Sequence, residues 1–218
     1  IVKHLNESAL NAVLERTAAQ CGDLIFFCAD KAKVVNGALG ALRVKIGHEK
    51  GFLNGKAWEP LWVVDFPMFE RDEETNQIIF THNPFSMPQG GLDSLLNKDP
   101  EEVLAYQYDI VCNGVELSSG AVRNHDIEIM KKAFELAGYS EDDLKAKFSA
   151  LYNAFQYGAP PHAGMAPGVD RMIMLLTEEE NIREVIAFPM NSNAQDLLLG
   201  SPGEVTEQQL REVHIKLR

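Results

Sequence analysis

Two carboxylates, Asp109 and Glu116, flank the dipeptide Asn113-Gly114 in the stretch from Tyr106 to Arg123. Asn-Gly between two apolar runs is the strongest short-range signal for a two-residue β-hairpin turn. The turn predicts four opposed pairs: Cys112 with Val115, Val111 with Glu116, Ile110 with Leu117, and Asp109 with Ser118. Because opposed residues share a face, both carboxylates are expected on one surface, diagonal to each other and about 7–8 Å apart. Such a pair suits a divalent cation held between acids and a phosphate; the alternative is the solvated outer face of an antiparallel sheet.

Arg123 follows in the second strand of the same hairpin. In a regular strand it has the wrong parity to share the Glu116 face, because side chains alternate between the two faces. A β-bulge would correct the parity, and the segment Ser118–Gly120 is where we expect one, since Gly120 tolerates the unusual backbone. Arg123 therefore joins the two carboxylates only if strand parity breaks at Ser118–Gly120.

A second candidate site lies in the stretch GAPPHAGMAPGVDRMIMLL, from Gly158 to Leu176. A helix is expected to begin near Val169 or Asp170, which puts Arg171 in its first turn. A cation there is unfavourable by up to about 1 kcal/mol, and an anionic ligand such as a triphosphate would offset that cost. The alternative is an ordinary loop-to-helix turn with a surface arginine. The string lacks the Lys-Ser/Thr ending of a P-loop and is not a Rossmann fingerprint.

Composition limits the classes of function. The chain has 218 residues and a formal net charge of −12. Because nucleic-acid binding requires clustered Lys and Arg to neutralise phosphates, this charge argues against a main nucleic-acid-binding surface in this part of the polypeptide. No signal peptide or membrane span is visible. The three cysteines, Cys21, Cys28 and Cys112, have no CxxC spacing, so we expect them reduced and buried in a cytosolic protein. The chain starts at Ile1 in mid-pattern, and we interpret it as part of a longer polypeptide.

The first 56 residues are predicted to form part of a small α+β domain. Asn6 is expected to cap a helix running to about Gln20. The apolar run DLIFFC, Asp23 to Cys28, predicts a buried strand, and apolar spacing from Lys31 to Ile46 predicts a second helix. The segment from Gly47 to Lys56 is the expected boundary.

From residue 57 the pattern predicts strands and then helices around the candidate sites. A strand over Leu61–Phe66 ends at Pro67, and Gln77–Thr81 returns antiparallel after a polar turn. His82 follows in the rigid loop HNPFSMP, where it is placed either to reach a ligand or to serve as a hydrogen-bonded structural residue. The remaining predicted elements are helical: a turn capped by Asp99, a helix from Asp126 through Leu136, and a helix over Glu141–Gln156 with a Ser140/Asp143 capping box.

Taken together, these pieces resemble the class II aminoacyl-tRNA synthetases, specifically the bacterial-type aspartyl-tRNA synthetases. The matching strings are PLWVVDFPMFE (Pro60–Glu70), THNPFSMP (Thr81–Pro88), AYQYDIVCNGVELSSGAVR (Ala105–Arg123), GAPPHAGMAPGVDR (Gly158–Arg171) and NIREVIAFP (Asn181–Pro189). The resemblance implies an α+β fold: a class II synthetase-type antiparallel sheet flanked by helices, preceded by part of a small α+β insertion domain. Residues 1–56 would be the C-terminal half of that insertion domain, and residues 57–218 the C-terminal half of the catalytic domain.

The resemblance also implies residue roles. Arg171 would contact the γ-phosphate of ATP. Glu116 would bind ATP through Mg²⁺, with Asp109 as the second acidic partner. His82 and Arg123 would bind the substrate L-aspartate, Arg123 pairing with its side-chain carboxylate. The nucleotide pocket would be lined by Gly168, Val169 and Asp170.

The implied activity is activation of aspartate by ATP to aspartyl-adenylate and transfer to tRNA(Asp), with tRNA(Asn) left open. The intact enzyme would be a cytoplasmic homodimer with no membrane partner. Because the anticodon-binding barrel and the first two class-defining motifs are not in this sequence, the chain alone is expected to be inactive. The alternatives are a tRNA-independent, aspartate-activating amide ligase that makes asparagine, and a noncatalytic binding module. The departures from the family pattern are Asn83, Ser118, Ser119, Ala121 and Met190.

Overall fold

The computed structural model describes residues 2–53 and 57–216. The chain divides into two compact units, Ile1–Lys56 and Ala57–Arg218. Along the described residues, none of the helices is long and apolar enough to cross a membrane.

The first unit contains a 3-10 turn, Val2–His4, and two helices, α1 (Glu7–Thr17) and α2 (Ala32–Glu49). Asn6 caps α1 as predicted, because its side-chain oxygen accepts a hydrogen bond from the backbone N–H of Ala9 at 2.7 Å. The helix ends at Thr17, before the predicted Gln20.

The predicted buried strand over Asp23–Cys28 is wrong. This segment is irregular, and Leu24, Phe26 and Phe27 are 83%, 54% and 53% exposed. A strand needs a neighbour for its backbone N–H and C=O groups, and no other strand occurs in residues 2–53. The cysteine prediction fails in part for the same reason: the free thiol of Cys21 is exposed and that of Cys28 is half-buried, whereas Cys112 is buried.

The second unit is built on a four-stranded antiparallel sheet in the order β1-β4-β5-β6, which confirms the predicted fold class. The strands in chain order are β1 (Pro60–Pro67), β2 (Phe69–Arg71), β3 (Ile78–Phe80), β4 (Leu104–Cys112), β5 (Val115–Val122) and β6 (Ala163–Pro167). The predicted return over Gln77–Thr81 is antiparallel, but it pairs with β2 in a separate two-stranded sheet, whereas β1 pairs with β4.

The helices of this unit are α3 (Gly91–Asn97), α4 (Ile127–Leu136), α5 (Glu141–Lys147), α6 (Ser149–Phe155), α7 (Val169–Leu176) and α8 (Glu207–Glu212), with 3-10 turns at Pro100–Glu102 and Ile182–Glu184. The predicted helix from Asp126 through Leu136 forms as α4, with Asp126 as its N-cap, and Ser140 forms the predicted capping box with Asp143. The single helix predicted over Glu141–Gln156 is instead two, because the backbone leaves the helical region at Phe148.

The core of this unit is centred on α4. Its buried face carries Met130, Ala133 and Phe134, and the Phe134 ring contacts four aromatic side chains: Phe80, Phe85, Tyr139 and Phe148. Ala133 packs in a cluster with buried residues of α3, of both sheets and of the segments that border them: Met68, Phe69, Leu95, Val103 and Ala105. Through Ala105, this cluster packs α4 against the start of β4.

Gly120 lies in β5 where the sheet leaves no room for a side chain. A Cβ atom there would stand 2.5 Å from the Gly164 carbonyl oxygen, 2.5 Å from Tyr108 Cε2 and 2.9 Å from Met165 Cβ. We expect Gly120→Ala to lower the free energy of unfolding by about 1–3 kcal/mol, because backbone atoms must move to admit the methyl group. Urea denaturation of the intact protein measures this. Gly164→Ala is the matched control, since its Cβ meets no atom within 4 Å; equal effects of the two substitutions would contradict the expectation.

Candidate functional site

The predicted hairpin turn forms at Asn113-Gly114, with φ angles of 51° and 81°, as a primed turn requires. The first two predicted pairs are confirmed: Cys112 opposes Val115 and Val111 opposes Glu116. The next two are wrong, because the register shifts and Ile110 opposes Ser118 while Asp109 opposes Ser119. Leu117 is the extra residue, so strand parity breaks one position before the predicted segment Ser118–Gly120.

The break at Leu117 decides which side chains share a face. Beyond it, Ser119 opposes Asp109 and Ala121 opposes Gln107, so alternation assigns Arg123 to the same face as Asp109 and Glu116. The Leu117 carbonyl accepts a hydrogen bond from the N–H of Gly168 at 2.8 Å. The bulge is therefore tied to the residue that precedes α7.

Asp109 and Glu116 lie on this face in a diagonal relation, because Glu116 opposes the residue two positions along from Asp109. Asp109 is half-buried and Glu116 is exposed. Within the described ranges, no group of three His, Cys, Asp or Glu side chains could hold a metal ion. Two carboxylates without a third protein ligand suit Mg²⁺, which keeps several waters and binds through one or two carboxylates plus substrate phosphates. Their role as Mg²⁺ ligands stays a prediction.

Arg171 contacts Glu116 directly. Helix α7 begins at Val169 as predicted, which places Arg171 in its first turn. The Nη1 atom of Arg171 donates to the backbone oxygen of Glu116 at 2.9 Å and pairs with its Oε1 at 3.0 Å. Both side chains are 45% exposed, and an ion pair so accessible to water is worth at most about 1 kcal/mol. An anionic ligand can therefore displace Glu116 from Arg171 at little cost.

Gly168, Val169 and Asp170 form the junction between β6 and α7. Gly168 is the N-cap residue of the helix, and a Cβ atom on it would stand 3.5 Å from the Leu117 carbonyl oxygen. Val169 is exposed. The junction thus presents the backbone and the helix N-terminus beside the Glu116–Arg171 pair; nucleotide contacts by these three residues stay a prediction.

Arg123 is half-buried. Across residues 2–53 and 57–216, no hydrogen bond or ion pair occupies its guanidinium group. Such a group needs an anionic or hydrogen-bonding partner, which a substrate carboxylate could supply. His82 is exposed, and its ring packs edge-on against Phe66 with centroids 5.3 Å apart.

The loop that follows His82 runs to the Arg123 strand. Ser86 opposes Arg123 as an isolated antiparallel bridge. Asn83, a departure from the family pattern, forms a local turn, because its side-chain oxygen accepts from the N–H of Phe85 at 2.9 Å. Sequence reasoning did not single out Gln107 and Ser86, which are buried and hydrogen-bonded to each other beside this loop. A glutamine two positions before Asp109, between the aromatic residues Tyr106 and Tyr108, was the signal that could have found them.

The other departures do not remove a predicted ligand. Ala121 is buried in the sheet and Ser119 is exposed. The Met190 side chain is exposed, and its backbone carbonyl accepts from Arg183 Nε at 3.0 Å. Ser118 is buried, and its hydroxyl has no hydrogen-bond partner in the part of the chain described here.

Comparisons with known protein sequences agree on one family. Residues 11–192 match the family model of tRNA synthetases class II (D, K and N). Over its whole length the chain is 54% identical to the aspartate--tRNA(Asp/Asn) ligase of Acidiphilium cryptum and 53% identical to the aspartate--tRNA ligase of Streptomyces coelicolor, covering 36% and 37% of those proteins. Among solved structures, the aspartyl tRNA synthetase from Entamoeba histolytica is similar at a TM-score of 0.47 and 24% identity, over 88% of this chain and 32% of that one. The chain thus spans just over a third of the curated relatives it matches.

Proposed function

The chain belongs to the class II tRNA synthetases of the D, K and N group, and from that membership we propose that the intact protein is an aspartate–tRNA ligase. It activates L-aspartate with ATP to aspartyl-adenylate and transfers the aspartyl group to tRNA. Because the chain spans about a third of its named relatives, every experiment below uses the intact protein.

One observation carries the proposal: the parity break at Leu117. It assigns Arg123 to the face that bears Asp109 and Glu116, while Arg171 lies 3.0 Å from Glu116. Groups suited to an amino acid carboxylate and groups suited to a nucleotide triphosphate therefore occur on one surface. Adenylation requires these two substrates side by side.

Arg123 accounts for the choice of amino acid. A planar guanidinium can pair with a carboxylate through two parallel hydrogen bonds, and its half-buried position limits competition from water. Asparagine presents an amide, whose NH₂ group would face the arginine donors. A site that leaves polar groups unpaired with the wrong substrate can discriminate by about 10⁴ or more.

The first step is attack of the aspartate α-carboxylate on the α-phosphorus of ATP, with pyrophosphate as the leaving group. No protein nucleophile is required, so positioning and charge neutralisation carry the step. Arg171 leaves Glu116 and binds the γ-phosphate, while Gly168, Val169 and Asp170 border the nucleotide. Asp109 and Glu116 would hold Mg²⁺, which would supply positive charge against the phosphates. The aspartyl group then passes to the terminal ribose of tRNA.

The polynucleotide partner is tRNA(Asp). The two relatives compared above are named for tRNA(Asp/Asn) in one case and for tRNA without that qualification in the other. Charging of tRNA(Asn) is therefore an outcome to be measured. From the family resemblance we also propose a homodimer in the cytoplasm, with residues 1–56 as the C-terminal half of an insertion domain and residues 57–218 as the C-terminal half of the catalytic domain.

Aspartate-dependent exchange of labelled pyrophosphate into ATP, followed by charging of tRNA(Asp) and tRNA(Asn) transcripts, tests the proposal. We expect exchange with aspartate and none with asparagine, and aspartyl-tRNA as the product. Ammonia-dependent release of asparagine without tRNA would show an amide ligase instead. Absence of both exchange and charging would leave a noncatalytic module.

A further inference from the structure

Gln107 is a buried polar side chain in the middle of β4, with 8% of its surface exposed. Its Nε2 atom donates to the hydroxyl of Ser86 at 2.8 Å and approaches the backbone oxygen of Asn83 at 3.4 Å. Ser86 is fully buried. Burying both groups costs free energy unless they pair, so this hydrogen bond holds the two segments in one arrangement.

The hydrogen bond lies on the face that bears Arg123. Gln107 opposes Ala121, and Ser86 opposes Arg123, so both side chains share a face with the Arg123 guanidinium. Two backbone hydrogen bonds flank the bridge between Ser86 and Arg123: Met87 N donates to Val122 O at 2.8 Å, and Asn124 N donates to Phe85 O at 2.7 Å. The backbone of Arg123 is thereby clamped against the segment that contains Ser86.

The same hydrogen bond reaches the loop that carries His82. The Asn83 carbonyl accepts from the N–H of Ser86 at 3.2 Å as well as facing Gln107 Nε2. His82 is the residue immediately before this tied turn. Gln107 and Ser86 therefore connect the backbone of one proposed aspartate ligand to that of the other.

We propose that Gln107 and Ser86 are positioning residues that set the distance between His82 and Arg123, and through it the binding of aspartate. This inference rests on the proposed function. Neither residue touches the substrate; each acts through the two ligands. Loss of the bond removes the side-chain link between β4 and the segment that joins His82 to the Arg123 backbone, and displacements of about 1 Å in a binding site can cost up to about a hundredfold.

The test uses Ser86→Ala and Gln107→Leu in the intact protein. The exchange of labelled pyrophosphate into ATP is measured at varied concentrations of aspartate. In each variant we expect the KM for aspartate to rise about tenfold or more, and the KM for ATP to change by less than about twofold. The double variant should cost no more than the more severe single variant, because each removes the same interaction. Ser94→Ala is the matched control: Ser94 is also a buried serine with one hydrogen bond, to the Gly91 oxygen at 2.9 Å, but it lies in α3.

Ser86→Ala removes a single oxygen atom and keeps the proposal testable if Gln107→Leu fails to fold. The inference is overturned if Ser86→Ala and Ser94→Ala give the same KM for aspartate while Arg123→Ala raises it; the proposed function then stands. If Arg123→Ala and His82→Ala also leave the KM for aspartate unchanged, the assignment of the aspartate site falls and the inference with it. The proposed function itself falls if the wild-type protein shows no aspartate-dependent exchange. If the KM for aspartate rises in the Ser86, Gln107, Arg123 and His82 variants but not in Ser94→Ala, both the inference and the proposed function are supported.

Discussion

Replacing Arg171 by alanine in the intact protein is expected to slow ATP-dependent aspartate activation by about a hundredfold or more. The physical reason is loss of a preorganised positive charge aimed at the triphosphate, an effect of about 10²–10³ in comparable sites. Pyrophosphate exchange at varied ATP measures the change, and the loss should appear with ATP rather than with aspartate.

Arg71→Ala is a closely matched control. Arg71 pairs with Glu101 at 3.1 Å, its side chain is 42% exposed, and it also donates to a backbone oxygen, that of Asn76. It differs from Arg171 chiefly in lying away from the candidate site, in β2. Unchanged exchange kinetics in Arg171→Ala, or an equal loss in Arg71→Ala, would remove Arg171 from the nucleotide site.

The Glu116–Arg171 pair adds a second readout of opposite sign. While Arg171 neutralises Glu116, that carboxylate is a poorer ligand for a cation. Breaking an exposed ion pair costs at most about 1 kcal/mol, and Arg171→Ala has no such pair to break when a cation binds, so the variant should bind Mn²⁺ about two- to fivefold more tightly in the absence of ATP. Titration with Mn²⁺ checks this, and weaker binding by the variant would contradict the assignment of Glu116 as a metal ligand.

Replacing Arg123 by lysine is expected to lower kcat/KM for aspartate by about a hundredfold or more, and Arg123→Ala should lower it further. Lysine keeps the charge but loses the planar, two-pronged geometry that fits a carboxylate. Truncation to alanine removes one partner of a charge pair, which costs about 2–5 kcal/mol when the pair is buried. The KM for ATP should change little. Steady-state exchange with aspartate varied at saturating ATP measures the effect.

An exposed arginine on α8 supplies the control. Arg211 pairs with Glu207 at 4.0 Å, and both side chains are 81% exposed, so Arg211→Ala should leave aspartate kinetics unchanged. If Arg123→Lys kept wild-type kcat/KM while still rejecting asparagine, some other group would have to recognise the aspartate side chain.

Local features of the second unit could be predicted because they depend on neighbours in sequence. The Asn113-Gly114 turn, the Asp126 cap and the Ser140/Asp143 capping box each satisfy backbone groups within a few residues, and all three form. The start of α7 at Val169 was also predicted from the local sequence, although no side chain caps that helix. The acidic and basic residues of the candidate site were likewise identified from the sequence and from the family resemblance.

Features that depend on distant partners could not be predicted in the same way. DLIFFC has the composition of a strand, but no strand pairs with it in residues 2–53, and it stays irregular. The helix break at Phe148 accompanies packing of its ring on Phe85 and Phe134. The Gln107–Ser86 hydrogen bond joins two segments that only the folded sheet brings together.

The β4–β5 hairpin shows most clearly which features depend on local sequence and which depend on distant partners. The sequence by itself determined that Asp109 and Glu116 lie in one hairpin and that Arg123 needs a parity break to join them. Only the tertiary structure decided that the break falls at Leu117, where the carbonyl accepts a hydrogen bond from the N–H of Gly168, the residue that follows the neighbouring strand β6. Gly120, the residue that locally favours a bulge, instead stays in regular pairing, where close contact with Gly164 and Tyr108 excludes any larger residue.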